Sequence, residues 1–354
     1  MFVRDRYGIG ERRRYRNEPS GYGADNWHLL AELGVLGLPF AASDGGLGGG
    51  PRELITVMEA LGSGFAVEPI LEEIVVSGGI LARIASHAQK DLWLGRLIRG
   101  EAHIALAHFE HAARFNLSGV GVSARSRNGA VLLDGDKSVV PLAAAADRWI
   151  VSAREDYSSV NPSLIGFYLV DPDAAGIERR DFRLADGSIA SSVRFREVTA
   201  EGRLHGNYEE FEAVIDDARL AAGAEMVGIM STLFRMTAEY LKNRKQFGQP
   251  LATFQTLQHR MADLYVLLEQ SRSHLYRAAA YIGMGAHGRR GVAGMKSYIS
   301  RAAIEMGEEC VHLHGGIGMT DELMLGHGYK RLVLLASLFG DSDSELVRFN
   351  QISA

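Results

Sequence analysis

Residues 243–255 read NRKQFGQPLATFQ and close a long run of helical periodicity with two cations, an aromatic ring and a glycine. Arg244 offers a planar fork of donors matched to a pyrophosphate, where a lysine acts only as a point charge. Phe247 offers a ring able to pack on a purine, and Gly248 permits a backbone turn at the helix junction. Alone, the stretch reads first as a helix end capped by a packed aromatic. A second stretch two helical segments later, CVHLHGGIGMTDE at 310–322, ends a helix in the pair Gly315 and Gly316, which leaves main-chain N–H groups open to close approach. Either stretch could be chance, but the pair in this order is not easily so.

Outward from these stretches, residues from about 209 to the end carry helical periodicity in four long segments, the last around KRLVLLASLFGDSDSELVRF, which reads as a four-helix bundle. From 104 to 208 the texture is short β-rich runs broken by turn residues, with a hairpin expected on RNGA, 127–130. From 1 to 103 it is helical again, in NWHLLAELGVLGLPF, PRELITVMEALGSG and EPILEEIVVSGGILARIA. The expected fold class is therefore α+β: an N-terminal helical domain (1–103), a β domain (104–208) and a C-terminal bundle (209–354). ASDGGLGGG, 42–50, lies between two helical stretches rather than between a strand and a helix, so it reads as a flexible connection rather than a phosphate loop.

Composition narrows the function. The 354 residues are 47% hydrophobic with a formal net charge of -5, and apart from Arg12–Arg14 the cations are dispersed, so nucleic acid is not an expected partner. No apolar run reaches the roughly 18 residues of a membrane span, the N-terminus lacks a signal peptide's apolar core, and the expected location is cytoplasmic. The single cysteine, Cys310, excludes an internal disulfide and reads as a core residue; no metal-ligand spacing occurs. His259 reads as structural.

RKQFGQPLATFQTLQHRMADL and HLHGGIGMTDE, on a helical, β, helical layout, resemble the acyl-CoA dehydrogenases, flavoproteins that desaturate acyl-CoA thioesters between the α and β carbons in fatty-acid β-oxidation and related breakdown. ELGVLGLPFAASDGGLGGG resembles that family's N-terminal domain, so the resemblance covers essentially the whole chain. It implies FAD as cofactor, an acyl-CoA substrate and electron-transfer flavoprotein or another acceptor. It also implies a dimer or tetramer in which one subunit's bundle supplies the adenine and pyrophosphate contacts for a neighbour's flavin. By this resemblance Arg244, Gln246, Phe247, His312, Gly315 and Gly316 form the adenine-side half of the FAD site, with His312 where the family commonly has glutamine. Arg219 is placed at the substrate entrance.

Other expected features are missing. The family's proton-abstracting glutamate sits in one of two places, and here these hold Phe339 in LFGD, where relatives resemble YEGT, and Ala218 in IDDARL. Asp217 and Asp341 are the neighbouring acids that could substitute after a shift, although they read first as a helix N-terminal charge and a loop residue. Where the family's sheet resembles TEPxAGSD this chain has FEHAARFN, keeping only Glu110, and where it resembles KxWIT stand Val139 and Pro141. Proline also removes an N–H donor.

Adenine-side motifs kept and flavin-side motifs lost resemble the small subunit of heteromeric, pimeloyl-CoA dehydrogenase-type enzymes, which implies a homologous large subunit carrying the flavin ring and the base. Two alternatives stand beside it: a self-sufficient homo-oligomer using a displaced acid, and a non-catalytic homologue. FVRDRYGIGERRR resembles the end of the family's first helix, so most of that helix is expected to be absent from this numbering.

Overall fold

The computed structural model describes residues 3, 6–156 and 159–352. Helices α1 (Ile9–Asn17), α2 (Ala24–Glu32), α3 (Pro51–Ser63), α4 (Gly79–Ile84), α5 (His87–Gln89) and α6 (Gly95–Ile98) precede strands β1 (Ile104–Ala107), β2 (Ser123–Arg127), β3 (Ala130–Pro141) and β4 (Arg148–Arg154). Strands β5 (Ile165–Val170), β6 (Ile177–Arg183), β7 (Ile189–Thr199) and β8 (Gly202–Leu204) follow. The chain then forms α7 (Tyr208–Asn243), β9 (Lys245–Gln246), β10 (Gln249–Pro250), α8 (Gln255–Tyr281), α9 (Gly285–His314), α10 (Met324–Ser337) and α11 (Ser342–Gln351). The stretch FVRDRYGIGERRR begins on residues outside those described, and its later part enters α1.

Packing divides the chain into two compact units, one drawn from 16–50 and 67–218, the other from 1–15, 51–66 and 219–354. The first holds the sheet, in the order β6-β7-β3-β2-β4-β5-β8 with β1 paired beside β4. Asn128 (φ 52°) and Gly129 (φ 82°) join β2 to β3, both left-handed as a two-residue type I′ hairpin requires. β5 is buried along its whole length, so it reads as a continuous apolar run; β6, IERRDFR, lies at the edge and shows charge to solvent. Trp149, Phe167 and Phe195 form the centre of this unit's core.

In the same unit α2 stops at Glu32, well short of the expected Phe40. Val35 N bonds Leu30 O (2.9 Å) and Gly34 N bonds Ala31 O (2.9 Å) with Gly34 at φ 77°, a Schellman ending. The glycine loop that follows is not a flexible connection. The N–H groups of Gly46, Leu47, Gly48 and Gly49 bond the carbonyls of Ala41, Gly37, Phe40 and Leu38, and a Cβ on Gly46 would lie 2.2 Å from Phe40 O. Its glycines allow two stretches of backbone to touch.

The second unit is helical. A Cβ on Gly62 of α3 would meet Glu225 O at 2.3 Å and one on Gly228 of α7 would meet Glu59 O at 2.1 Å, so these two helices cross backbone to backbone. Along α9, Val292, Met295, Ile299, Ala303, Met306 and Cys310 are buried at helical spacing. Cys310 is core, as expected, and burial pushes its thiol up to about 11, away from nucleophilic chemistry. The expected last helical segment is two helices, α10 and α11, separated at Leu338–Asp341, where Phe339 (φ 61°) and Gly340 (φ 123°) turn the chain. Among the described residues no helix is long and apolar enough to cross a membrane.

Candidate functional site

At the end of α7 the chain makes a miniature hairpin rather than a simple helix junction. Gln246 pairs with Gln249 and Lys245 with Pro250, and Phe247 (φ 52°) with Gly248 (φ 81°) forms the two-residue turn. A bulky residue in this region costs about 1–2 kcal/mol, and the Phe247 ring is 90% exposed, touching the Phe254 ring edge-on at 6.1 Å between centroids. Arg244 accepts from Leu251 N through its carbonyl (2.8 Å), while among the described residues its exposed guanidinium makes no hydrogen bond or ion pair.

The second motif lies at the same end of the helical unit. Tyr240, one turn before Arg244, stacks on His314 with centroids 4.4 Å apart and donates its hydroxyl to His314 O at 3.2 Å. Gly315 follows at φ 67°, ψ -147°, a conformation essentially restricted to glycine. No atom lies within 4 Å of where a Cβ on Gly315 or Gly316 would stand. His312 is exposed; its Nδ1 lies 3.0 Å from a terminal nitrogen of Arg260, whose Nε donates to Glu309 at 2.8 Å. Arg13 of α1 pairs with Asp321 (3.3 Å), tying down the segment beyond the glycines. An uncommitted guanidinium, an exposed ring and open backbone at one end suit an anionic group joined to a planar one. His259, read as structural, stands exposed on α8.

The positions expected to matter for chemistry are otherwise engaged. Ala218 is fully buried in α7, and Phe339 is buried with its carbonyl accepting from Arg219 Nε at 3.0 Å. Arg219, expected at an entrance, is only 2% exposed and pairs at 2.9 Å with Glu345, itself 2% exposed. Asp217 is no helix N-terminal charge: α7 begins at Tyr208, and the Asp217 carboxylate meets Arg83 at 2.7 Å; burial raises its pKa against the pull of that arginine. Asp341 is no simple loop residue: it caps α11, accepting from Ser344 N at 2.8 Å. The turn between Asp341 and α10 is held by the fully buried Lys296, whose ammonium donates to Leu335 O, Ala336 O and Gly340 O at 2.9–3.1 Å. The sequence signal for Lys296 was a cation inside the apolar stripe of α9, next to Met295 and one turn before Ile299.

In the sheet unit, FEHAARFN and KSVVP meet through a bridge between Phe109 and Val139. Glu110 is spent there: it accepts from Gly121 N (2.7 Å), Val122 N (3.1 Å) and the buried Lys137 Nζ (2.7 Å). Lys137 also donates to His108 O and Ser152 Oγ, and burial lowers it to about 8. With the carboxylate consumed, Val139 apolar and Pro141 lacking an N–H, this corner offers an isoalloxazine little, whereas the bundle end fits the adenine and pyrophosphate of FAD. Among the described residues no group of three or more His, Cys, Asp or Glu side chains is placed to hold a metal ion.

Residues 210–349 match the family model "Acyl-CoA dehydrogenase, C-terminal domain", and residues 2–101 match its N-terminal counterpart. The chain belongs to the acyl-CoA dehydrogenase family. Its helical, sheet and helical-bundle order is that family's fold, and the family's enzymes are FAD-dependent oxidoreductases. An acyl-CoA dehydrogenase, short-chain specific, of Megasphaera elsdenii is 28% identical over 306 residues, 83% of this chain and 80% of that protein. CarC, a subunit of the caffeyl-CoA reductase-Etf complex of Acetobacterium woodii, is 24% identical over 311 residues, covering 85% and 82%. Among solved structures, a Tcur3481-Tcur3483 steroid ACAD (G363A variant) superposes with a TM-score of 0.89 at 27% identity, covering 99% of this chain and 94% of that one.

Proposed function

We propose that this chain is the small subunit of a heteromeric, FAD-dependent acyl-CoA dehydrogenase of the pimeloyl-CoA dehydrogenase type, contributing the adenine-side half of a cofactor site that a homologous large subunit completes. The observation that carries the reading is the contrast between the Arg244 guanidinium, uncommitted among the described residues beside an exposed Phe247, and the commitment of Asp217 and Asp341 next to the two base positions. In this reading the Arg244 fork neutralises pyrophosphate charge, Phe247 covers a purine face, and Gln246 and His312 add hydrogen bonds. Gly315 and Gly316 let main-chain N–H groups approach the phosphates.

When bound, FAD supplies the hydride acceptor for α,β-desaturation of a CoA thioester. The general base comes from the large subunit, because Ala218 and Phe339 have no proton to take or give. Likeness to a steroid ACAD whose name joins two components supports the partnered arrangement, and likeness to CarC supports an electron-transfer flavoprotein as redox partner. We place the enzyme in the cytoplasm, with three sequential domains at 1–103, 104–208 and 209–354.

The test is the visible spectrum and FAD-to-protein ratio of the purified chain, alone and co-expressed with a large-subunit homologue. The half-site reading expects a colourless chain alone and a yellow complex. About one FAD per chain in the lone protein, with turnover, would overturn it in favour of a self-sufficient homo-oligomer.

A further inference from the structure

His312 stands in the last turn of α9, three and four residues before Gly315 and Gly316. Its Nδ1 is 3.0 Å from a terminal nitrogen of Arg260. A guanidinium has only donors to offer, so Nδ1 is the acceptor and carries no proton. That leaves the ring proton on Nε2. Arg260 is itself aimed by Glu309, which receives both Nε (2.8 Å) and the terminal nitrogen that faces His312. Glu309 lies one turn before His312 on the same helix, and Arg260 reaches across from α8.

We infer that Arg260, oriented by Glu309, is a positioning residue that fixes His312 as its Nε2–H tautomer, so that His312 meets a nucleotide only as a hydrogen-bond donor to an acceptor atom. The inference rests on the half-site reading above. A glutamine at this position can present either a donor or an acceptor, depending on how its amide is turned. The locked histidine presents a donor alone and favours a phosphate oxygen or an unprotonated purine nitrogen over an exocyclic amino group.

The experiment uses the full chain labelled with 15N-histidine and long-range proton–nitrogen correlation spectra, with His312 assigned by the disappearance of its signals in His312→Gln. ADP serves as the probe, since it carries adenine and pyrophosphate without the flavin. The inference expects Nδ1 at the unprotonated and Nε2 at the protonated nitrogen shift, and a further shift of the Nε2–H signal on adding ADP. Arg260→Leu should average the two nitrogens and weaken ADP binding by about five- to tenfold; Arg260→Lys, which restores a donor, should recover most of both. A proton on Nδ1, or an Arg260→Leu chain with unchanged tautomer and ADP affinity, overturns the inference while leaving the half-site intact. In a second, uniformly 15N-labelled sample, ADP that moves neither the Phe247 nor the Gly315 amide signal brings down the half-site and the inference with it. Thermal unfolding of each variant separates these outcomes from a general loss of structure.

Discussion

Tyr240 and His314 join the two sequence motifs: the ring of one stacks on the ring of the other at 4.4 Å, and the Tyr240 hydroxyl reaches His314 O at 3.2 Å. The contact links the last turn of α7 to the last residue of α9, so the Arg244 hairpin and the Gly315–Gly316 corner are positioned together. Tyr240→Phe keeps the stack and loses one hydrogen bond, an expected cost of about 0.5–1.5 kcal/mol. Tyr240→Leu loses both, and the ring contact itself is worth about 0.5–1.5 kcal/mol. Urea unfolding of the two variants should rank them in that order.

Phe247 holds a left-handed backbone with its ring in solvent, so the fold gains little from it. Phe247→Gly relieves about 1–2 kcal/mol of strain and adds about 0.5–1 kcal/mol of unfolded-state entropy. Stability should stay level or rise by up to about 1.5 kcal/mol, while FAD retention by the assembled complex falls. A clear loss of stability with full flavin content would show the ring to be structural.

Asp341 caps α11 and Asp217 meets Arg83, and on the half-site reading neither acts as the base. Asp341→Ala should cost about 1 kcal/mol of stability, with turnover of the assembled enzyme changed less than about twofold. Asp217→Asn should likewise leave turnover in place. A loss of several orders of magnitude in either variant would restore that acid as the base.

The Arg219–Glu345 pair is buried on both sides. Glu345→Gln leaves an uncompensated buried cation and should cost about 3–5 kcal/mol. Arg219→Met combined with Glu345→Leu removes both charges and should recover most of that loss. Denaturation midpoints of the single and double variants decide it; equal losses in both would mean that packing, not charge, is what the pair supplies.

Lys296 gives the fold an unusual pH dependence. Burial pushes its ammonium down from 10.5 to about 7, against the attraction of Glu345. Between these values the unfolded chain holds a proton that the folded chain has released, so unfolding takes one up and stability rises with pH, by at most about 1.4 kcal/mol per unit. Lys137 adds the same trend from about 8 upward. Urea unfolding at about pH 7 and pH 8 should show the rise in the native chain and a flatter response in Lys296→Met. That variant should also lose about 2–4 kcal/mol at neutral pH, because three carbonyls lose their donor.

The hairpin on Asn128–Gly129 and the helix-ending Gly315–Gly316 pair were legible because their cause is local: each demands a backbone region that few residue types enter. The edge strand β6 was not, since its charged residues give no apolar alternation. Nor was the division of KRLVLLASLFGDSDSELVRF into two helices, because the lysine that holds the break lies on α9, some forty residues earlier. The glycine loop at 42–50 read as loose for the same reason: its partners are the carbonyls of 37–41, and no local rule foretells that they will be there.

The sequence by itself determined the order of helices, strands and helices, the family, and the residues available to meet a nucleotide, because periodicity, turn chemistry and side-chain type are carried by neighbours in the chain. Only the tertiary structure decided which of those residues are free. Arg219, Asp217 and Glu110 are each taken up by a distant partner, and Arg244 and Phe247 are not. A side chain's availability depends on what lies within about 3 Å of it, and that is set by packing between residues the sequence keeps far apart.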